Sequence, residues 1–197
     1  MKFTGRGLVS FGLLFLFQSM GYSQLAAQDI DWEDLQKKSV MTATRFEGEI
    51  KMDGILDDEA WELATPFGNF IQKTPETGEP ATEQTEIRIL YNQDTLYIGA
   101  HLWDSEGADG IVVTDITKDY MTRNSDGLQV MLDTYDDDRS GFIFGSNPAE
   151  GRWDIQIGNN SSNSNWDGIW YNRATIDDRG WHLEMAIPFK TLRFTNN

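Results

Sequence analysis

The chain contains no cysteine. That excludes a disulfide framework, a lipid-bearing cysteine and thiolate metal ligands, so folding must rest on the core alone. Histidine is almost as scarce. Only His101 and His182 occur, so a zinc site would need both together with carboxylates, and their distance apart in sequence carries no metal-ligand spacing. Cations are few, with 16 Lys and Arg against 32 Asp and Glu, which leaves a net charge of −16. Phosphate backbones and anionic lipid repel such a surface, so nucleic acid is excluded as a partner. There is no G-x-S-x-G elbow and no phosphate-cradling glycine loop. Glycoside hydrolysis needs two carboxylates across a cleft, and nothing in the sequence places any pair, so the chain reads as non-catalytic. A haem-binding reading would draw on Met121, Met131 or His101, which carry no spacing signal.

One long apolar run is present. Leu8–Phe17 follows Lys2 and Arg6 and precedes small residues at Gly21, Ser23, Ala26 and Ala27. This is the pattern of a secretory signal peptide within residues 1–27, cleaved after Ser23 or Ala27, and the run is short for a bilayer span. Its removal takes two cations and no acid, so the mature chain carries −18. Residues 28–41 read as a flexible lead-in. Export would place the protein in the periplasm, at the outer membrane or outside the cell.

Beyond the leader the dominant signal is period-two alternation. In Thr82–Asp104, Ile87 and Ile89 alternate with Glu86 and Arg88, and Leu96, Ile98, Ala100 and Leu102 alternate with Tyr97, Gly99, His101 and Trp103. Asn92-Gln93-Asp94 supplies the turn, so this stretch predicts a hairpin. Its second strand has few charges on either face and is expected inside a sheet covered on both sides. Further strands are expected at 41–46, 67–73, 111–116, 126–133, 141–146, 153–158, 168–176 and 181–187. Glu59–Ala64 reads as a short helix around Trp61, with acids at its start and Pro66 beyond its end. Many short strands between turn signals predict an all-β, two-sheet antiparallel sandwich over 42–197, jelly-roll-like and C-terminally truncated.

Five motifs then occur in order: Ile50-x-x-Asp53-Gly54-x-Leu56-Asp57-x-x-x-Trp61, Pro80-Ala81-Thr82-x-x-Thr85-x-Ile87-x-Ile89-Leu90-Tyr91, Leu96-Tyr97-Ile98-Gly99, Asp126-x-x-x-Val130-x-Leu132-Asp133, and Gly180-Trp181-x-x-Glu184-x-Ala186-Ile187-Pro188-Phe189. Together they resemble the family 9 carbohydrate-binding module, especially the exported version found N-terminal to a predicted outer-membrane β-barrel. The resemblance implies a β-sandwich that binds oligo- or polysaccharide, sometimes with structural calcium. It also implies a rival reading, an accessory domain of a barrel encoded downstream that no longer binds sugar. Sugar-binding members carry a stacking Trp just before the Asp126-like position, where this chain has Arg123-Asn124-Ser125.

Pyranose faces pack on indoles, so Trp103, Trp153, Trp166, Trp170 and Trp181 are candidates for stacking. Trp61 and Trp181 sit in motifs read as packing, whereas Trp166 and Trp170 flank Asp167 beside an Asn/Ser loop. The expected site therefore takes Trp103, Trp166 and Trp170 as platforms and Arg123, Gln129 and Asp154 as polar contacts. Asp136, Asp138 and Ser140 have the opening spacing of a calcium loop, but Asn147 stands where an EF-hand needs Glu. A looser calcium turn is the candidate there, against a plain charged hairpin turn.

Overall fold

The computed structural model describes residues 11–12, 40–119, 124–158 and 161–193. The expected leader lies outside these residues apart from Phe11–Gly12, and so does the lead-in over 28–39. Two five-stranded sheets face one another. The first contains β1 (Phe11–Gly12), β5 (Leu128–Leu132), β6 (Gly141–Ser146), β7 (Arg152–Gly158) and β8 (Ser161–Asn163), hydrogen-bonded in that order. The second runs β2 (Thr44–Arg45), β3 (Thr85–Tyr91), β4 (Thr95–Trp103), β10 (Gly180–Pro188), β9 (Tyr171–Asp177). Every pairing is antiparallel except β2 on β3.

The central hairpin forms as its alternation predicts. Asn92 makes the turn, its Oδ1 accepting from the Asp94 and Thr95 amides at 3.0 and 2.9 Å. Ile87, Ile89, Ile98, Ala100 and Leu102 point inward with Leu183, Met185 and Ile187 of β10, and meet Leu128, Val130, Phe142 and Phe144 from the first sheet. Each large side chain buried there contributes about 1.5–3 kcal/mol. All of β4 between its ends is buried. Its second face is covered because residues 46–64 fold back over it and bury Phe46, Ile50, Trp61 and Ala64 against Leu90, Tyr97 and Ala186.

One buried carboxylate holds that covering segment. Glu184 is fully buried, and its Oε2 accepts from the backbone amides of Asp53 and Gly54 at 2.9 and 2.8 Å. Its Oε1 accepts from Trp61 Nε1 at 3.1 Å. Glu184 pairs across the ladder with Gly99, where a Cβ would stand 2.9 Å from the Trp61 ring. The opening and closing motifs of the sequence are thus two halves of one clasp, with Gly99 as the gap that admits the indole. Gly54 completes it at φ +82°, a left-handed conformation that disfavours a side chain.

Several expected elements differ. The helix near Trp61 is a 3-10 helix, Glu59–Leu63. Residues 41–46 yield only the two-residue β2, and residues 67–73 contribute two isolated bridges, Phe67 to Ile87 and Ile71 to Pro80. Residues 111–116 form no strand. Val112 instead donates its amide to Asp126 Oδ2 at 2.7 Å and accepts the Asp126 amide at 2.8 Å, so one residue satisfies the backbone there without a ladder. Conversely, the Asn/Ser-rich stretch contains β8, because Ser161–Asn163 turns back onto β7.

Candidate functional site

A cleft of about 390 Å³ opens at the end of the sandwich where β4 finishes and β5 and β10 begin. Its volume lies within the ~300–1,000 Å³ range of small-molecule sites. Register explains its lining. Gln129, Gly145 and Trp153 form one cross-strand row on the outward face of the first sheet. Glycine in the middle lets the indole lie across the row, since a Cβ on Gly145 would fall 2.0 Å from Trp153 Cε2. From the second sheet come Trp103, half-buried at the end of β4, and Trp181, which is buried and pairs with Leu102. Three indoles and the Gln129 amide therefore border one space.

The remaining wall is polar. Asp104 and Asp126 line the cleft, and burial pushes the Asp126 carboxyl upward, opposed by the Val112 amide and reinforced by the charge of Asp104. The loop carrying Gln72, Thr74 and Glu76 closes the far side. Gln72 pins it, donating its amide to Glu79 O at 2.7 Å and its Nε2 to Pro80 O at 2.8 Å. Apolar flat faces beside carboxylate and carboxamide groups suit a ligand that is both ringed and rich in hydroxyls.

Of the six expected sugar contacts, Trp103 and Gln129 line this cleft. Arg123 lies outside the described residues. Asp154, Trp166 and Trp170 lie outside the cleft. Asp154 pairs with Phe144, so it faces the core, where its Oδ2 accepts from Trp170 Nε1 at 2.8 Å and from the Gly168 amide at 3.2 Å. Trp170 is 1% exposed and packs edge-on to Phe144 at 5.5 Å. Trp166 leans against Phe142 with ring centroids 4.8 Å apart. The Asn/Ser loop suggested exposure, but β8 and the return to β9 turn these indoles inward. Asp126 is not among the expected contacts; Trp181 is core, as its motif predicts, and also borders the cleft.

The acidic turn at residues 133–140 is organised by a residue outside the expected calcium set. Asp133 Oδ1 accepts from the amides of Tyr135 and Asp136, and its Oδ2 from those of Asp137 and Asp138, at 2.7–3.0 Å. Asp136 and Asp138 adopt positive φ, 55° and 54°, as the chain wraps this carboxylate, while Ser140 gives its amide to Asp137 at 2.7 Å. The spacing of Asp136, Asp138 and Ser140 thus accompanies a carboxylate-capped turn.

Residues 52–197 match the family model described as carbohydrate family 9 binding domain-like. No curated protein matches the chain. Among solved structures, a family 9 carbohydrate-binding module from Caldicellulosiruptor kristjanssonii in complex with cellotriose superimposes with a TM-score of 0.51 at 16% identity, over 74% of this chain and 66% of that one. A module from the same organism in complex with glucose gives 0.51 at 15% identity, over 80% and 73%. A protein from Bacteroides uniformis described as carbohydrate-binding gives 0.58 at 11% identity, over 77% and 73%. This chain therefore spans about two thirds to three quarters of their lengths. At such identities the likeness is one of fold.

Proposed function

The chain belongs to the carbohydrate family 9 binding domain-like family, and from that premise we propose that it is a non-catalytic sugar-binding module of an exported protein, with the cleft bordered by Trp103, Trp153 and Trp181 as its site. The observation that carries this reading is the convergence of three indoles with Gln129, Asp104 and Asp126 on one space. Trp103 offers the stacking face, because Trp153 and Trp181 are 7% and 2% exposed and form the floor. Gln129 and the two carboxylates hydrogen-bond ring hydroxyls. Cellotriose and glucose, the ligands of two structurally similar modules, set the first sugars to try. Export is supported by the charged start and apolar run of residues 2–17.

Calorimetric titration of the protein with glucose, cellobiose, cellotriose and xylo-oligosaccharides tests the proposal. Saturable binding is expected, weakened about tenfold or more by Trp103→Ala, since each 1.4 kcal/mol of lost contact is tenfold in Kd. Absence of heat and of any melting shift at millimolar sugar overturns it.

A further inference from the structure

The two histidines stand far apart in sequence and meet in the fold. β4 and β10 pair so that His101 and His182 are direct cross-strand partners. Their imidazoles stack with centroids 4.0 Å apart and planes 25° from parallel. Asp177, the last residue of β9, brings its Oδ2 to 3.2 Å from His182 Nε2. One ring nitrogen of each histidine and one Asp177 oxygen all lie within 4.8 Å of one another, a convergence that no other three His, Asp or Glu residues achieve among the described residues. A second observation is independent of this distance. Among the described residues three buried side-chain polar atoms lack a hydrogen-bond partner, and His101 Nε2 is one of them; the orphaned nitrogen of His182 is Nδ1, not the Nε2 that meets Asp177. Buried polar atoms are rarely left so, because an unmet lone pair or N–H carries its desolvation cost uncompensated.

From this juxtaposition we propose that His101, His182 and Asp177 form a binding site for a divalent first-row transition metal ion, with zinc the best match. Two imidazoles and one carboxylate are a donor set that zinc takes, with water completing the tetrahedron. Bonds of about 2.0–2.1 Å hold tetrahedral donors about 3.3 Å apart, a separation the His182–Asp177 pair already has at 3.2 Å. Bringing the third donor in from within 4.8 Å needs side-chain movements that together close up to about 1.5 Å. Trp103 stacks on the His101 ring at 3.7 Å and restricts its movement. Arg179 competes for Asp177 at 3.3 Å, but its side chain is 63% exposed and free to turn into solvent. Glu86 occupies the next register position beyond His101, on β3, and is tied to Arg88 at 2.7 Å, which leaves the fourth position to water.

The experiment uses the full chain without an affinity tag, stripped by chelator and titrated with zinc sulfate in a calorimeter and with cobalt chloride by visible absorption. One equivalent of zinc is expected to bind with micromolar or tighter affinity, and cobalt to give the intense d–d bands of a tetrahedral site. The imidazole nitrogens of the only two histidines should shift together in an NMR titration. Asp177→Asn should weaken zinc by at least the ~10–100-fold that even an outer partner of a metal ligand is worth. His182→Gln should abolish saturable binding. Both positions are partly exposed, so a melting temperature in chelator matching the wild type establishes that these variants fold. No saturable zinc binding below about 1 mM overturns the proposal. So does unchanged affinity in folded His182→Gln, which would assign the ion to surface carboxylates.

Discussion

Replacing Glu184 with Gln tests the clasp by changing one atom. The carboxylate meets three donors: two backbone amides on Oε2 and the Trp61 indole on Oε1, at 2.8–3.1 Å. Glutamine has one acceptor. If its oxygen keeps the Asp53 and Gly54 amides, its NH₂ faces Trp61 Nε1 donor to donor. The reverse orientation loses two amide bonds, so the first is preferred. The loss is then one hydrogen bond to a charged group, about 1.5–3 kcal/mol, plus an unsatisfied buried donor worth about 1–3 kcal/mol. Removing a buried charge offsets part of this, since burial already pushes the Glu184 carboxyl above its usual value against the pull of its three donors. A net loss of about 2–3 kcal/mol follows, or roughly 5–10 °C in Tm for a domain of this size. Urea denaturation of Glu184→Gln, Trp61→Phe and the double variant measures it. Trp61→Phe removes the opposing donor, so the double variant should be at least about 1 kcal/mol more stable than additivity predicts. A single variant within about 0.5 kcal/mol of wild type, or strict additivity of the pair, would refute the reasoning. No clasp residue lines the cleft, so sugar affinity per folded molecule should be unchanged.

Asp154 and Gly145 offer two further tests. Asp154→Asn can keep both bonds from Trp170 and Gly168 and should stay within about 1 kcal/mol of wild type at pH 7, whereas Asp154→Ala orphans both donors and should lose about 2–4 kcal/mol. Burial raises the folded Asp154 carboxyl, opposed by those two donors and by Lys118. Its contribution is therefore fully present below the unfolded value of about 3.9 and is lost as pH rises through the folded one. The melting temperature of Asp154→Asn should accordingly improve relative to wild type between pH 3.5 and 7, and a change in the opposite sense would count against that account. Gly145→Ala places a Cβ 2.0 Å from Trp153. It should lift the indole from its seat and weaken sugar binding more than it lowers Tm, and retained affinity would remove Trp153 from the site.

What the sequence determined by itself was whatever depends on near neighbours. Period-two alternation of apolar residues places β3, β4, β5, β6, β7 and β10 within a residue or two of their expected positions, because a strand with a buried face needs that pattern along its own length. Asn92 and the Asp177–Gly180 turn are legible for the same reason, since their hydrogen bonds close within a few residues. The ordered motifs pointed to the family without revealing why their members recur. Tertiary structure decided that: Asp53, Gly54, Trp61, Gly99 and Glu184 are one clasp, assembled across more than a hundred residues of chain. Burial of the two indoles beside the Asn/Ser loop was likewise beyond sequence, whereas Trp61 and Trp181 are legible as core from their motifs. Trp166 and Trp170 sit beside a polar loop, yet they face Phe142 and Phe144 because the loop pairs with β7 and turns them inward. The His101–His182–Asp177 group is the plainest case. No spacing along the chain announces it, because β4 and β10 are adjacent only once the sheet has formed, and a register shift of one residue would send the two rings to opposite faces.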